Sequence, residues 1–394
     1  MGEEEFLNSH NMMNYSADLI QSMAYDMAIA FLISVFFAGI IIPQILLIAF
    51  RKNLFDVPDE RKIHTSAVPR LGGIAFKLVT LFSVFFVLGI NHLSNNQIFT
   101  EQISADALQF CFGFCALMLI YIVGIADDLI GVRYKAKFVV QALSALLIVA
   151  SGLYINNFHG LFGLYEVNPY FGGFVTVVAI VFITNAINLI DGVDGLASGL
   201  CIVAFAYYGV IFFCLGLFIY ALIAFSVLGT VIQFYYYNVF GKAEKQKKIF
   251  MGDTGSLTLG IFLCFLSLKL NQVPDTNTFV PNAFVMAFAP LIVPCFDVIR
   301  VYIHRLRKHR SPFLPDKNHI HHKIMRCGIS QRTTMVSIIL FAIFIALANF
   351  ELANVLNINV LVIGDLVFYY IGHGILNKIL AKKENWEKKK QPAA

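Results

Sequence analysis

Charged side chains are scarce in this sequence. They account for 13% of its 394 residues, whereas 58% are hydrophobic and the mean hydropathy is +0.74. A soluble domain carries roughly 25% charged residues. The composition therefore excludes an ordinary water-soluble fold and requires a lipid bilayer as solvent. No segment between the apolar stretches is long enough to form a separate soluble domain.

Features of secreted and thiolate-metal proteins are also lacking. The seven cysteines are an odd set, and all but Cys327 lie in apolar stretches, without a Cys-x-x-Cys pair. They are therefore interpreted as small core residues, with neither a disulfide framework nor a thiolate metal site. The polar segment 1–26 has no basic region followed by a small-residue cleavage site. The first apolar stretch is therefore expected to remain as an anchor.

Long apolar stretches recur along the whole chain. A bilayer core about 30 Å thick needs a helix of roughly 20 apolar residues. We predict an all-α, polytopic integral membrane protein with about 11 transmembrane helices, at 24–50, 72–92, 107–127, 137–156, 170–191, 196–216, 218–240, 256–273, 280–304, 333–353 and 356–378. The predicted organisation is a polar segment at 1–23, one transmembrane domain at 24–380 and a basic tail at 381–394.

Lysine and arginine are missing from every second predicted loop. Only Lys77 and Lys269 lie outside five segments that hold the other 27 of the 29 basic residues, namely 51–70, 127–137, 242–248, 300–332 and 378–394. Because basic loops stay in the cytoplasm, we predict the N-terminus outside and the C-terminus in the cytoplasm. The net charge of +5 is then a signal of membrane orientation, and it implies no nucleic-acid partner.

Ionisable residues are rare inside the predicted spans. A channel or a transporter would need them near the bilayer midplane or in broken helices. Instead, Asp, Asn, His and Gly cluster in five segments on the basic side of the membrane. This asymmetry favours chemistry at the cytoplasmic surface over passage through the membrane.

The first cluster is the segment 56–73, which contains Lys62 and Arg70 and ends in Gly72-Gly73. Its carboxylates and basic side chains are suited to bind a charged ligand. The alternative interpretation is a solvated basic loop with a glycine hinge.

The second cluster is the adjacent pair Asp127-Asp128 at the inner end of the third span, followed by Lys137. Neighbouring carboxylates at a membrane boundary repel each other unless a cation, a metal or a shared proton intervenes. A solvated helix end is the alternative.

The third cluster places a polar group at every third position of the fifth span: Asn185, Asn188, Asp191 and Asp194. Each step of three residues turns back about 60° on an ideal helix, so the four groups cannot share one face unless the helix breaks. Gly192 and Gly195 permit such a break. A plain polar turn is disfavoured, because unsatisfied amides inside an apolar span are costly.

The fourth cluster is Gly252-Asp253-Thr254-Gly255, where the chain enters the eighth span. Free N–H groups at a helix start attract phosphate, and a carboxylate beside them can hold a cation. The alternative is a helix N-cap with turn glycines.

The fifth cluster begins with a basic run at Arg300 and ends in His319-Ile320-His321-His322. In a locally extended segment His319 and His321 would share one face. Three histidines can bind zinc, but the abundant carboxylates nearby are hard oxygen ligands that suit Mg²⁺ or Mn²⁺ better. Phosphate recognition by the histidines and basic residues is the favoured interpretation, with a plain basic loop as the alternative.

Together and in chain order, the five clusters resemble the polyprenyl-phosphate N-acetylhexosamine-1-phosphate transferases, which are bacterial glycosyltransferases of family 4. The resemblance extends from residue 56 to His322. The pattern His-Ile-His-His is similar to the branch that uses UDP-N-acetylglucosamine to initiate O-antigen, common antigen or wall teichoic acid. The sister enzymes that transfer phospho-N-acetylmuramoyl-pentapeptide carry three consecutive histidines instead.

The resemblance implies transfer of N-acetylglucosamine 1-phosphate from the UDP-sugar to undecaprenyl phosphate, with release of UMP. It implies a Mg²⁺ cofactor, replaceable by Mn²⁺, in a multi-pass protein of the bacterial inner membrane whose active site faces the cytoplasm. The segment 24–380 is then the catalytic domain. A homodimer is the assembly considered.

Residue roles follow from the same resemblance. Asp253 is expected to be the main metal ligand, with Asp128 and Asp191 beside it. Asp127 is assigned to the lipid phosphate as a base, and Asp128 to its support. Asn188, Asp191 and Asp194 are expected to contact the UDP end of the donor. His319, His321 and His322 are expected at the diphosphate or sugar, with His321 also catalytic. The further expected substrate contacts are Asn185, Lys62, Arg70, Lys137 and Arg300.

Three alternatives remain at this point. Within the family, the alternative is the muramoyl-pentapeptide transferase of peptidoglycan synthesis. Outside it, a lipid or sugar transporter is disfavoured by the lack of midplane charges. A non-catalytic lipid-binding scaffold would not need Asp253.

Overall fold

A computed structural model describes residues 15–55, 68–274, 276–309 and 318–390, with side chains up to residue 383. Lys62 and most of its cluster therefore lie outside the described residues. The helices are α1 (Ala17–Arg51), α2 (Ile74–Leu93), α3 (Ile98–Ala105), α4 (Ala107–Ile130), α5 (Tyr134–Ala150), α6 (Pro169–Ile190), α7 (Leu196–Cys214), α8 (Phe218–Phe240), α9 (Gly252–Asn271), α10 (Ala283–Phe288), α11 (Ile292–Arg307), α12 (Ile320–Arg326), α13 (Gln331–Leu352) and α14 (Ile358–Lys390).

Ten helices in the described residues are long and apolar enough to cross a membrane, with α10 and α11 counted as one continuous span. The all-α, polytopic prediction is therefore confirmed. The remaining predicted span corresponds to α5, which is shorter, with 17 residues and a length of about 26 Å. It ends before the predicted limit of 156, because Gly152 takes a φ of 88° and the chain leaves the helical path.

The central helix of the bundle is α9. Every residue from Thr254 to Asn271 is buried, so neighbouring helices surround it on all sides. Close approach depends on glycines. A Cβ added to Gly124 of α4 would lie 2.5 Å from the Cα of Thr254, and one added to Gly260 would lie 2.8 Å from the Cα of Thr184 on α6. Small residues at helix contacts are how membrane helices pack tightly without a hydrophobic driving force.

The end of α9 away from Asp253 carries a buried ion pair. Lys269 Nζ lies 2.8 Å from Asp106 Oδ2, and both side chains are buried. The Tyr220 hydroxyl donates to the same carboxylate at 2.7 Å. This pairing accounts for one of the two lysines that lie outside the basic loops, because a buried ammonium needs a partner. At the same end, the strands β1 (Asn157–Leu161) and β2 (Leu164–Glu166) form an antiparallel hairpin.

The predicted orientation can be tested by labelling at two exposed positions. Asn95 follows α2 and Lys245 follows α8, on opposite sides of the predicted topology. In a variant without native cysteines, Asn95→Cys should react in intact cells with a membrane-impermeant maleimide. Lys245→Cys should react only after lysis. Reversed labelling would contradict the orientation and the cytoplasmic placement of the site.

Candidate active site

The start of α9 is fixed by the segment before α2. Phe250 N donates to Pro69 O at 2.8 Å, Gly72 N donates to Phe250 O at 3.0 Å, and Gly73 N donates to Met251 O at 2.9 Å. A Cβ on Gly73 would lie 2.0 Å from Gly255 N, so only glycine permits this approach. Two of the sequence clusters are therefore brought together by backbone pairing.

Asp128 caps the N-terminus of α9. Its Oδ1 accepts from Asp253 N at 2.7 Å and its Oδ2 accepts from Thr254 N at 2.9 Å. These are the unpaired N–H groups of a helix start, where a carboxylate is also favoured by the helix dipole. Both oxygens of Asp128 are thus engaged in holding the backbone of Asp253. Asp128 therefore supports the start of α9, a contact that the sequence analysis did not foresee, whereas its predicted roles beside Asp127 and as a metal ligand remain predictions.

Asp127, Lys137 and Asp253 form one ionic cluster. Lys137 Nζ lies 3.0 Å from Asp127 Oδ2 and 2.6 Å from Asp253 Oδ2. Asn188 donates its amide to Asp253 Oδ1 at 3.1 Å and to Ser256 Oγ at 2.9 Å. The structure therefore joins four residues that the sequence placed in three separate clusters. One ammonium shared by two carboxylates leaves a net negative charge at this point.

The polar ladder ends in a turn, as the glycines predicted. The helix α6 stops at Ile190, Asp191 caps it, and Gly195 has a φ of 78°. Burial, together with the negative charges of Asp194 and Asp253, raises the pKa of Asp191 to about 7. The positive charge of Arg70 lowers the pKa of Asp191, so Arg70 lies near that carboxylate. Asp191 therefore lies in a pocket of excess negative charge.

Two residues that support this turn were not found from the sequence. Asn238 of α8 accepts from Gly195 N at 2.6 Å and donates to Ile249 O at 2.9 Å, which ties the turn to the segment before α9. Lys248 pairs with Asp194 at 2.5 Å. No local pattern indicated Asn238, because a single amide in an apolar helix is not a motif.

Asn185 lies one helical turn deeper than Asn188. Its amide donates to Gln141 Oε1 of α5 at 2.6 Å and to Val181 O at 2.7 Å. The donors of Asn185 are thus engaged between α5 and α6. A substrate contact by Asn185 remains a prediction, while its structural contact with Gln141 was not foreseen.

The histidine segment is helical, so the expectation of a locally extended segment is wrong from Ile320 onward. The helix α12 begins there with His319 at its N-cap. The rings of His319 and His321 are nevertheless stacked, with centroids 5.8 Å apart, and the ring of His322 lies 4.2 Å from that of His321. The pair expected to act together does lie together, because the N-cap residue keeps an extended ψ of 153°.

His321 is 1% exposed, and neither of its ring nitrogens has a hydrogen-bond partner among the described residues. Burial, together with the neighbouring His322, lowers the pKa of His321 to about 3, so the ring is neutral at physiological pH. A Cβ on Gly192 would lie 2.6 Å from His321 Nε2. The imidazole therefore faces the turn that carries Asp191. A buried polar group without a partner is costly unless a ligand completes it.

A buried carboxylate that the sequence analysis missed lies behind the histidines. Asp297 of α11 is 0% exposed and contacts His319 Nδ1 at 2.8 Å and Arg300 Nη2 at 2.7 Å. Arg300 also donates to Asn318 O at 2.5 Å. Arg300 is therefore placed beside the histidine segment, but it is committed to Asp297. The signal that could have indicated Asp297 is its position inside an apolar span, where ionisable residues are functional by default.

The donor set fits a hard divalent cation. Carboxylates predominate at the start of α9, and the pKa of Asp191 is raised by burial and by the charges of Asp194 and Asp253, charges that a cation would balance. No group of three or more candidate ligands is preformed within the described ranges. Mg²⁺ does not require one, because it keeps several waters and commonly binds one or two carboxylates together with substrate phosphates.

Comparisons with known proteins show the family of this chain. The profile of glycosyl transferase family 4 matches residues 110–271, which include Asp127, Asp191 and Asp253. A Yersinia pestis protein named undecaprenyl-phosphate alpha-N-acetylglucosaminyl 1-phosphate transferase is 33% identical over 340 residues, which cover 86% of this chain and 84% of that protein.

Two further relatives carry closely similar names. A Bacillus subtilis protein named probable undecaprenyl-phosphate N-acetylglucosaminyl 1-phosphate transferase is 32% identical, with 83% of this chain and 85% of that protein covered. An Escherichia coli K12 protein named undecaprenyl-phosphate alpha-N-acetylglucosaminyl 1-phosphate transferase is 31% identical, with 76% of each chain covered. The similarity extends over most of the molecule, and in each case the named acceptor is a polyprenyl phosphate.

Proposed function

Because this chain belongs to glycosyl transferase family 4, we propose that it transfers N-acetylglucosamine 1-phosphate from UDP-N-acetylglucosamine to undecaprenyl phosphate. The observation that carries the proposal is the ionic cluster of Asp127, Lys137 and Asp253 at the start of α9, with Asn188 bonded to it. Such a cluster suits a reaction between two phosphates, because each of its members can hold or balance charge at one point.

In this reaction an oxygen of the lipid phosphate attacks the phosphorus that carries the sugar. A new P–O–P bond forms, the bond from that phosphorus to the phosphate oxygen of UMP breaks, and UMP leaves with the bonding electrons. A lipid phosphate is already ionised at neutral pH, so direct attack needs no covalent enzyme intermediate. The main barrier is repulsion between anions, which positive charge at the site reduces.

Lys137 would supply positive charge at the acceptor phosphate, and Asp127 would hold that ammonium in position. Their separation of 3.0 Å allows Lys137 to exchange one carboxylate partner for a phosphate oxygen. Asp253 and Asp191 would hold Mg²⁺, which supplies charge neutralisation for the diphosphate when bound. Asp128 would keep the backbone of Asp253 in place through its two hydrogen bonds to the helix start.

The histidines would contact the donor from the opposite side of the turn. The two ring nitrogens of His321 have no hydrogen-bond partner within the described ranges, so a neutral imidazole can donate to or accept from the diphosphate or the N-acetyl sugar. Asp194 with Lys248, together with Asn188, would lie towards the uridine end. His322 and Arg70 are proposed as further contacts to the donor.

The proposed place of reaction is the cytoplasmic face of the bacterial inner membrane, the side on which we predict the five basic segments. The apolar helices keep the enzyme in the same bilayer as its lipid acceptor. The product is a lipid-linked sugar diphosphate, so the reaction is proposed as the first step of a cell-surface glycan of the O-antigen, common antigen or teichoic acid type. The relatives' names do not favour the muramoyl-pentapeptide alternative.

A donor panel tests this proposal. Purified protein with Mg²⁺ and undecaprenyl phosphate is expected to convert labelled UDP-N-acetylglucosamine into a lipid-extractable product and to release UMP. UDP-glucose, which lacks the N-acetyl group, serves as the matched control and should give little product. Transfer of the muramoyl-pentapeptide phosphate with no use of UDP-N-acetylglucosamine would show that the assignment is wrong.

A further inference from the structure

Asp297 connects three helices at one buried carboxylate. Its Oδ1 accepts from Ile320 N of α12 at 2.9 Å and from the Tyr369 hydroxyl of α14 at 3.3 Å. The same oxygen lies 2.7 Å from Arg300 Nη2, one turn along α11. Its Oδ2 lies 2.8 Å from His319 Nδ1. Every one of these contacts converges on the start of the histidine helix, and none belongs to the cluster around Asp253.

The contact with His319 fixes both the proton and the plane of that ring. A carboxylate at Nδ1 requires Nδ1–H as the donor, which turns Nε2 away from Asp297. The ring planes of His319 and His321 differ by 9°, so the orientation of the first ring constrains the second. His321 in turn lies against Gly192. A chain of contacts therefore leads from Asp297 to the turn at Asp191 without passing through bulk solvent.

The C-terminal helix α14 also packs against Asp297 and the histidine helix. Tyr369 is buried, and its ring stacks on that of His373 with centroids 6.4 Å apart. Lys323 of α12 lies 2.7 Å from His373 Nε2. The histidine helix is thus held at its first residue by Asp297 and one turn later by α14.

We propose that Asp297 is a positioning residue for the donor side of the reaction. It holds His319 and the first backbone N–H of α12, and through the stacked rings it sets the place where His321 meets the donor. This inference rests on the proposed function, because that function assigns the histidines to the sugar diphosphate. Asp297 itself touches no substrate, so its effect must appear through His319.

The variant Asp297→Asn keeps the size of the side chain but removes its charge and one acceptor. We expect the KM for UDP-N-acetylglucosamine to rise about tenfold, as for loss of a hydrogen bond to a charged group. The KM for undecaprenyl phosphate should not change. Asp365→Asn is the matched control, because Asp365 accepts from Asn349 between α13 and α14 and does not contact the histidine helix or Asp297 among the described contacts. It should leave both KM values unchanged.

A double-mutant cycle separates positioning from a general structural effect. If Asp297 acts through His319, the variant Asp297→Asn combined with His319→Ala should be no worse than His319→Ala alone. Tyr369→Phe is the milder variant in case Asp297→Asn does not fold. It removes one hydrogen bond to Asp297 and should raise the donor KM about threefold.

Multiplying losses in the double variant, or a lowered Tm with an unchanged donor KM, would overturn the role of Asp297 while leaving the proposed function intact. Wild-type protein that forms no product from UDP-N-acetylglucosamine would overturn the proposed function and this inference with it. A selective rise of the donor KM that disappears in the His319→Ala background would support both.

Discussion

The variant Asp253→Asn should lose at least about 10³-fold in turnover, corresponding to about 4 kcal/mol of transition-state stabilisation. Asp253 Oδ2 lies 2.6 Å from Lys137 Nζ, and Asp253 Oδ1 accepts from the amide of Asn188 at 3.1 Å. Asp253 therefore lies at the centre of the ionic cluster. An amide cannot hold a divalent cation or an ammonium as a carboxylate does. The measurement is the rate of UMP release by purified protein at saturating levels of both substrates.

Asp253→Asn should remain folded, because the cap on α9 is the hydrogen bond from the backbone N–H of residue 253 to the side chain of Asp128. The side chain of residue 253 does not take part in that bond. A Tm close to that of the wild type is therefore the control. Excess chelator should abolish wild-type turnover, and either Mg²⁺ or Mn²⁺ should restore it. Near-normal turnover by Asp253→Asn, or by the wild type in chelator, would contradict the role assigned to this carboxylate.

The variant His321→Ala should lower kcat/KM about 10²-fold, or by about 2.7 kcal/mol. The ring is buried and its two nitrogens have no hydrogen-bond partner in the part of the chain that the structure describes, so its removal breaks no hydrogen bond there. Since its pKa is lowered to about 3, the ring stays neutral above that pH, and the loss should be the same at pH 6 and pH 8. Binding of undecaprenyl phosphate should not change.

Gly192→Ala provides an independent test of the same contact. The added methyl group would lie 2.6 Å from His321 Nε2, so it should displace the ring and lower activity in the wild type. In the His321→Ala background it should have little further effect. His159→Ala is the control for removing a buried histidine, because His159 contacts Asn271 O at the other end of the bundle; it should lower stability but not activity. Full activity of His321→Ala would show that the unpaired imidazole has no role in the reaction.

Several features of the site could be read from the sequence because they are local. Adjacent residues define Asp127-Asp128, the glycines around Asp253 and the histidine run, whatever the rest of the chain does. The break after Ile190 was also predictable, since four polar groups at every third position cannot share one helical face. In the structure Gly72-Gly73, Asp128, Lys137 and Asn188 contact the start of α9, and His321 lies against Gly192 in the turn after α6.

The function of each carboxylate was not predictable in the same way. Asp127 and Asp128 are neighbours in the chain, yet one accepts from Lys137 and the other from the backbone of α9. A difference of about 100° around the helix axis directs the two side chains to different partners. The sequence does not contain the orientation of α4 towards α5 and α9, so it could not distinguish an ionic role from a capping role.

The amino-acid sequence alone determined that this is an all-α membrane protein, where most of its helices lie and where its polar residues cluster. Hydropathy, loop charge and short motifs are properties of residues that are neighbours in the chain, so they can be read without knowing the tertiary structure. The tertiary structure decided which groups meet: Lys137 with Asp253, Asn185 with Gln141, and Asp297 with His319. These partners are 116, 44 and 22 residues apart, and only the packing of the helices brings them within hydrogen-bonding distance.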